Sequence, residues 1–173
     1  MNIFLIGYRG SGKSTVAAAL ATQLGWPWID ADAELERRAG KTIKQIFAET
    51  GELAFRDLES AVLADLVKLD RHIIALGGGV ILRGENRRLL VGRGKVVWLK
   101  ASAESLLARI SGDATTAERR PNLTGQGGLA EIRTLLAERT PLYAACADLK
   151  VDAEGKSPAE IAQQINDELQ LQE

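Results

Sequence analysis

The chain contains very little cysteine and histidine. Its 173 residues include one of each, Cys146 and His72. One cysteine cannot form an intrachain disulfide, and no multi-cysteine metal motif is present. His72 opens a predicted strand and has no partner at a recognisable spacing, so we interpret it as structural. We therefore expect a protein of a reducing compartment that is stabilised by an apolar core.

Neither sign of charge is in excess, and long apolar runs are missing. The 22 basic and 23 acidic residues nearly cancel, so there is no overall positive field of the kind that dominates nucleic-acid binding. The first apolar run stops at Gly7, which is too short for a membrane span, and no basic region precedes it as in a signal peptide. We expect a cytoplasmic monomer with no nucleic-acid and no membrane partner.

Apolar residues are plentiful, at 46% of the chain, and occur in short runs that alternate with longer helical patterns. This alternation is typical of an α/β fold with a parallel sheet covered on both faces, and the length favours one domain over residues 1–173. Five strands are predicted, at Asn2 to Ile6, Pro27 to Asp30, His72 to Leu76, Lys95 to Leu99 and Leu149 to Val151.

Helical patterns fill the segments between these strands. Their predicted bounds are Lys13 to Leu24, Ala33 to Ala39, Ile43 to Glu49, Glu52 to Leu69, Asn86 to Leu90, Ala103 to Ile110, Leu129 to Ala145 and Pro158 to Leu171. Gly25, Gly40 and Gly51 stand where glycines end helices, and Ser157 begins a capping box for the last helix. The three tryptophans lie in or beside strands, and we expect them in the core.

One long segment, from Ser111 to Gly128, has neither an apolar period nor regular helix caps. Loops of this length inside compact domains are usually functional or disordered. The segment holds two adjacent arginines, Arg119 and Arg120, between flexible ends. It is therefore predicted to be a mobile lid.

The segment from Gly7 to Ser14 reads GYRGSGKS and fits the phosphate-loop pattern G-x-x-x-x-G-K-[ST], directly after a predicted strand and before a predicted helix. In such a loop the glycines let backbone N–H groups point at phosphate oxygens, and the helix N-terminus adds partial positive charge. Lys13 would reach the β and γ phosphates, and the Ser14 hydroxyl would ligate Mg²⁺. A nucleoside triphosphate site is expected here.

Three further clusters carry polar or glycine residues near strand ends. They are Asp30-Ala31-Asp32 after the second strand, Gly77-Gly78-Gly79 after the third, and Arg56 with Glu59 on one face of a helix. Ligands of open parallel sheets bind beyond the carboxyl ends of the strands, which favours a functional role. Each cluster also has a structural interpretation, as a helix cap, a turn and an exposed ion pair respectively.

Taken together, these segments resemble the shikimate kinase family across nearly the whole chain. The resemblance is carried by GYRGSGKST, DADAELERRAGKTIKQIFAETGELAFRDLE, LGGGV, RRPNLT and ERTPLY, in the order and approximate spacing of the family. It implies a three-layer αβα P-loop kinase fold, with a five-stranded parallel sheet, the lid at about residues 111–128 and a substrate-binding region at about residues 31–60. It also implies Mg²⁺-dependent transfer of the γ-phosphoryl group of ATP to the 3-hydroxyl of shikimate, in aromatic amino acid biosynthesis.

The resemblance also implies a role for individual residues. The nucleotide would be bound by Gly10, Ser11, Gly12, Lys13, Ser14, Thr15, Arg109 and Arg120. Arg109 would lie against the adenine, and Arg120 would close over the phosphates from the lid. Mg²⁺ would lie near Ser14 and Asp30.

The acceptor would be bound by Asp32, Arg56, Gly77, Gly78, Gly79 and Arg139. Arg56 and Arg139 would hold the carboxylate of shikimate, with Glu59 orienting Arg56. Lys13, Asp32 and Arg120 would act in catalysis, Asp32 either as general base or by positioning the hydroxyl. Two other functions stay open: a gluconate-type kinase and a non-catalytic nucleotide-binding paralogue.

Overall fold

A computed structural model describes residues 1–112 and 127–171. Within these ranges five parallel strands form one sheet in the order β2-β3-β1-β4-β5. The strands are β1 (Asn2–Ile6), β2 (Trp28–Asp30), β3 (Ile73–Ala75), β4 (Gly94–Lys100) and β5 (Leu149–Asp152). The predicted α/β class and all five strands are confirmed, with bounds that differ by at most one residue at each end.

Helices cover the sheet and connect its strands. They are α1 (Lys13–Leu24), α2 (Ala31–Ala39), α3 (Ile43–Leu66), a short 3₁₀ helix (Val80–Leu82), α4 (Gly84–Leu90), α5 (Ala103–Gly112), α6 (Gly128–Cys146) and α7 (Pro158–Leu169). The two helices predicted on either side of Gly51 form one element, α3, whose helical geometry is interrupted at Gly51 with φ 84° and ψ 174°. Glycine is suited to this break because L side chains rarely adopt such positive φ values.

Successive side chains of β1 point to opposite faces of the sheet and into separate cores. Phe4 and Ile6 belong to the core shared with α3 and α6, whereas Ile3 and Leu5 belong to the core shared with α1 and α7. All four side chains are fully buried, and each such burial stabilises the fold by about 1.5–3 kcal/mol. The three-layer αβα arrangement follows from this double-sided burial.

The tryptophans differ in their environments. Trp98, in β4, is buried and its ring lies 5.6 Å from that of Tyr143. Trp28 is 40% exposed, because β2 is a three-residue strand at the edge of the sheet. The expectation that all tryptophans pack in the core is therefore wrong for Trp28.

The strand order brings three chain segments together at the carboxyl end of the strands. Because all strands are parallel, the residues that follow β1, β2 and β3 emerge at the same end. The phosphate loop follows β1, Asp32 follows β2, and Gly77 to Gly79 follow β3. Neighbouring strand ends thus bring the predicted donor and acceptor residues together.

The predicted lid extends beyond what the structure describes. Helix α5 continues to Gly112 and α6 begins at Gly128, so the ends of the predicted segment are helical. Residues 113–126, with Arg119 and Arg120, lie outside the described residues, and the lid stays a prediction. In the two described ranges no helix is both long enough and apolar enough to cross a membrane.

Gly94 is needed for the close approach of β4 to β1. A Cβ at this position would lie 2.1 Å from the backbone oxygen of Asn2, its partner across the two strands. We predict that Gly94→Ala lowers the free energy of unfolding by about 1–3 kcal/mol through this overpacking, measured by urea denaturation.

The matched control is Gly112→Ala, where an added Cβ meets no atom of the described residues within 4 Å. Alanine favours helix more than glycine does, so the control variant should be as stable as the parent or slightly more stable. Equal stability of the two variants would contradict the close approach of β4 to β1.

Candidate active site

Three glycines shape the loop between β1 and α1. Gly7, Gly10 and Gly12 have φ values of 147°, 84° and 92°. A Cβ at Gly7 would lie 2.7 Å from the Leu99 backbone oxygen, and one at Gly10 would lie 2.9 Å from the side chain of Ile110. Both the positive φ values and these approaches require glycine.

The same loop leaves the first turn of α1 available to an anion. Gly12 caps the helix in the left-handed conformation without a side-chain hydrogen bond. The N–H groups of a helix's first turn have no partner within the helix and carry partial positive charge. A phosphate group bound in the loop would accept hydrogen bonds from them.

Lys13 and Ser11 lie within the loop itself. The Lys13 ammonium donates to the backbone oxygens of Gly7 at 2.8 Å and Tyr8 at 3.0 Å. Its positive charge is therefore held next to the loop backbone. Ser11 is buried, and among the described residues its hydroxyl has no hydrogen-bond partner. Thr15, the next predicted nucleotide ligand, donates its hydroxyl to the Gly12 oxygen at 3.2 Å.

Asp30 connects the end of β2 to the start of α1. One carboxylate oxygen accepts from the Ser14 hydroxyl at 2.5 Å. The other accepts from the backbone N–H groups of Asp32 and Ala33, at 2.9 and 3.1 Å, and so caps α2. The helix-cap interpretation is correct for Asp30, and the same side chain also meets Ser14.

The Ser14 and Asp30 pair has the chemistry that Mg²⁺ favours. Both contribute oxygen ligands, and Mg²⁺ is usually held by one or two protein carboxylates together with substrate phosphates. In residues 1–112 and 127–171 no group of three or more histidine, cysteine, aspartate or glutamate side chains could hold a metal ion. A metal at this loop would therefore depend on nucleotide oxygens for its other ligands.

The predicted exposed ion pair between Arg56 and Glu59 is in fact buried. Both residues are 5% exposed, and Arg56 Nη1 donates to Glu59 Oε1 at 2.8 Å. Glu52 lies 3.4 Å from Arg56 Nη2. Because burying a charge without a partner is costly, Glu59 stabilises the guanidinium in place. The surface interpretation of this pair is wrong.

Gly77 to Gly79 form a turn that two arginines approach closely. The N–H of Val80 donates to the Gly77 oxygen at 3.2 Å, so the turn interpretation is also correct. A Cβ at Gly79 would lie 2.4 Å from Arg56 Nη1, and one at Gly78 would lie 3.5 Å from Arg139 Nη1. The missing side chain at Gly79 leaves the space that the Arg56 guanidinium occupies, whereas the distance at Gly78 is an ordinary van der Waals contact.

Arg139 is a buried cation of unusual environment. It is 4% exposed, and its guanidinium lies 5.5 Å from the centre of the Tyr8 ring. Across the described ranges no hydrogen bond or ion pair to the Arg139 side chain is formed, and its buried Nε atom has no acceptor. A buried guanidinium that has no hydrogen-bond or ion-pair partner in the described residues is suited to binding an anion.

Asp32 lies beside this arginine-lined turn. It is half-buried and shares the wall of a small cavity, about 10 Å³ in volume, with Glu59 and Gly77. Asp32 therefore lies close to the carboxyl end of β3. Glu59, which pairs with Arg56, and Gly77 of the glycine turn thus lie near Asp32, and the roles of these residues in binding stay predictions.

Arg109 lies on the other side of the loop. Its Nη1 donates to the Gly10 oxygen at 3.3 Å, and its Nη2 donates to the Ala153 oxygen at 3.4 Å. The guanidinium thus connects α5 to the phosphate loop and to the segment after β5. The predicted adenine contact of Arg109 stays a prediction, as does the phosphate contact of Arg120.

Several supporting residues were missed in the sequence. Tyr143 donates its hydroxyl to the Gly78 oxygen at 2.5 Å and is fully buried. Glu131, 1% exposed, lies 3.4 Å from the guanidinium of Arg9 in the phosphate loop. Tyr8 is also buried, and this burial raises the pKa of its phenol, although the charges of Arg9 and Arg139 act in the opposite direction.

A glycine loop between a central parallel strand and a helix beginning with Lys-Ser, facing polar residues on two neighbouring strand ends, defines a P-loop kinase. Comparison with known proteins identifies the family. Residues 9–170 match the model of the shikimate kinase family. The chain belongs to this family, and it is an ATP-dependent phosphotransferase with an alcohol acceptor.

Individual relatives agree over nearly the whole chain. A shikimate kinase of Rhodopirellula baltica is 46% identical over 164 residues, which are 95% of this chain and 88% of that protein. The structure of the Acinetobacter baumannii shikimate kinase in complex with shikimate is 36% identical, with a TM-score of 0.91 over 98% of this chain and 92% of that one. The Aquifex aeolicus shikimate kinase gives 38% identity and a TM-score of 0.83, over 98% and 96% of the respective chains.

We predict that the pair Arg9 and Glu131 couples the phosphate loop to α6. In a double-mutant cycle with Arg9→Met and Glu131→Gln, we expect a coupling energy of about 1 kcal/mol, because a buried carboxylate depends on its cationic partner. Urea unfolding of the four proteins measures it.

The control cycle uses Arg133 and Glu104, which join α6 to α5. Their contact is shorter, at 2.7 Å, but the two side chains are 62% and 63% exposed. Solvent screening should make this coupling the smaller of the two. A larger coupling for the exposed pair would contradict the importance of burial at Glu131.

Proposed function

We propose that the chain transfers the γ-phosphoryl group of ATP to the 3-hydroxyl of shikimate. The bond between the γ-phosphorus and the β–γ bridging oxygen breaks, and a bond from phosphorus to the shikimate oxygen forms. The products are shikimate 3-phosphate, ADP and the proton of the hydroxyl. The observation that carries the proposal is the pair of buried guanidiniums, Arg56 and Arg139, both close to the glycine turn beside the phosphate loop.

The arginines account for the carboxylate of the acceptor. A guanidinium binds a carboxylate through two parallel charge-assisted hydrogen bonds. Arg139 has no ion-pair partner in the described part of the chain, so an acidic substrate would neutralise a buried charge. Arg56 is already fixed by Glu59, so its side chain loses little further conformational entropy when the substrate binds.

Asp32 accounts for the hydroxyl groups. Its carboxylate would accept hydrogen bonds from ring hydroxyls while the carboxylate of the substrate is held by the arginines. In a loose phosphoryl-transfer transition state little proton removal occurs early, so the main contribution of Asp32 is to aim the attacking oxygen at the γ-phosphorus. It then receives the proton as the bond to phosphorus forms. The Gly78 N–H would add a backbone donor.

The phosphate loop accounts for the donor. Gly10, Ser11, Gly12 and Thr15 would surround the β-phosphate with backbone and hydroxyl donors, and Lys13 would leave the Gly7 and Tyr8 oxygens to contact the β and γ phosphates. Arg109 and Arg120 would close the site from the adenine side and from the lid. In this arrangement charge developing on the transferred group meets fixed positive charge.

Mg²⁺ is proposed as the cofactor, held by the Ser14 hydroxyl and by Asp30, directly or through water. The ion would neutralise phosphate charge and fix the orientation of the β and γ groups. The short Ser14 to Asp30 contact and the oxygen-only donor set support this assignment.

A gluconate-type kinase is the second candidate, because gluconate is also a polyhydroxy acid, but the glycine turn of Gly77 to Gly79 and the F-R-x-x-E segment with Arg56 and Glu59 count against it. ADP release assayed with shikimate, gluconate and nucleoside monophosphates distinguishes the two. We expect turnover with shikimate alone. Turnover with gluconate in its place would contradict the proposal, and binding of ATP and shikimate without turnover would favour a non-catalytic paralogue.

We predict that Arg56→Ala lowers kcat/KM for shikimate by about tenfold or more and leaves ATP affinity unchanged. The variant removes a charge-assisted contact worth about 1.5–3 kcal/mol to the acceptor alone. Steady-state kinetics and nucleotide titration measure the two effects. Lys13→Ala is the matched comparison and should depress turnover through the donor; an equal loss of ATP affinity in Arg56→Ala would refute its assignment to the acceptor.

We predict that Gly79→Ala raises KM for shikimate about tenfold and also lowers the thermal unfolding midpoint, because the displaced Arg56 guanidinium loses its buried contact with Glu59. The added Cβ would displace the Arg56 guanidinium, which is the far end of a flexible side chain and can move without backbone strain. The control is Gly84→Ala, whose Cβ comes no closer than 3.4 Å to a neighbouring atom. An unchanged KM in Gly79→Ala would show that Arg56 does not need its present position.

A further inference from the structure

A second cavity lies at the amino end of the strands, the end of the sheet away from the phosphate loop. It is bounded by α4, by the start of β4 and by the end of α6, and its volume is about 410 Å³. Small-molecule sites typically have volumes of about 300–1,000 Å³. None of the residues assigned to ATP, Mg²⁺ or shikimate lines it.

Two guanidiniums of this cavity converge at Gly84. A Cβ at Gly84 would lie 3.4 Å from Arg87 Nη2 and 3.7 Å from Arg88 Nη1. Arg87 is held by its other nitrogen, Nη1, which donates to the backbone oxygens of Ile81 and Leu82 at 2.7 and 3.1 Å. One cation is thus fixed before any ligand arrives, and that reduces the entropy lost on binding.

The carboxylates of the described chain do not neutralise these cations. In residues 1–112 and 127–171 neither Arg87 nor Arg88 is part of an ion pair. Asp148 lines the cavity from the β5 side. Its Oδ2 accepts from the Val96 N–H at 2.8 Å, so this oxygen is hydrogen-bonded to the backbone of β4. The balance of charge in the cavity is positive and favours a monoanion.

The remaining wall is apolar. Leu90 and Val96 are buried on the inner side, and Val91, 77% exposed, lies at the rim. An occupant should therefore present an apolar body to these side chains and one anionic group to the arginines. A carboxylate matches the planar guanidinium through paired hydrogen bonds.

We propose that this cavity is a second ligand site that binds a small monocarboxylate with an apolar body. The acid head binds at Arg87 and Arg88, and the hydrocarbon part covers Leu90, Val91 and Val96. The site is separate from the acceptor site, whose arginines lie at the carboxyl end of the strands.

Cys146 provides a direct reporter of occupancy. It is the only cysteine of the chain, it is half-buried, and it lines the cavity. Burial raises the pKa of its thiol, while the charge of Arg87 acts in the opposite direction. Labelling at mildly alkaline pH therefore follows access to this one thiol, and a bound ligand shields it.

The experiment measures the labelling rate with a maleimide in the presence of 3-phenylpropionate or 2-phenylethylamine. Both probes carry the same apolar body with opposite charge, and saturating ADP and shikimate keep them out of the acceptor site. At about four times its Kd, 3-phenylpropionate should slow labelling about fivefold, since only the free protein reacts. The amine should not protect at the same concentration. No protection by the acid, or equal protection by the amine, would overturn the proposal.

Arg88→Gln tests the role of the exposed cation. We expect the Kd for 3-phenylpropionate to rise about tenfold, as is typical when one charge-assisted contact is lost, while the thermal unfolding midpoint and the unprotected labelling rate stay as in the parent. An unchanged Kd would overturn the assignment of the acid head to Arg88. The comparison of the two probes needs no variant and stands independently.

Discussion

The acceptor side of the site depends on one constraint: two buried guanidiniums, those of Arg56 and Arg139, lie close to the turn of Gly77 to Gly79. Arg56 occupies space that a side chain at position 79 would fill, and Arg139 approaches position 78. Burying two cations is unfavourable unless their charge is compensated. Glu59 compensates Arg56 inside the protein, whereas an acidic substrate is suited to compensating Arg139. A preference for an acid follows from this arrangement.

The parallel sheet brings the donor and acceptor residues together at the carboxyl end of its strands. The order β2-β3-β1 sets the glycine turn next to the phosphate loop, with the Asp30 to Asp32 segment on its far side. Two contacts then tie the loop to α6, since Tyr8 lies under Arg139 and Arg9 meets Glu131. Tyr143, on the same helix, holds the Gly78 oxygen. Helix α6 thus supports both halves of the reaction.

Local patterns in the sequence predicted most of the fold and the position of the phosphate loop between β1 and α1. Glycines with positive φ, helix caps and the phosphate loop act over a few residues, so Gly51, Ser157 and Gly7 to Ser14 were readable from neighbours alone. The burial of Arg56 and Glu59 was not, because a spacing of three residues is the same for exposed and buried pairs. Glu131 was missed because its partner Arg9 is 122 residues away, and Trp28 was misplaced because edge strands cannot be told from central ones without the strand order.

The central claim is that Arg56 and Arg139 together receive the carboxylate of the substrate at the glycine turn. A crystal structure with ADP and shikimate bound tests it most directly. We expect carboxylate oxygens about 2.7–2.9 Å from both guanidiniums, with a ring hydroxyl at Asp32 and facing the phosphate loop. A carboxylate bound elsewhere, in contact with neither arginine, would contradict the account.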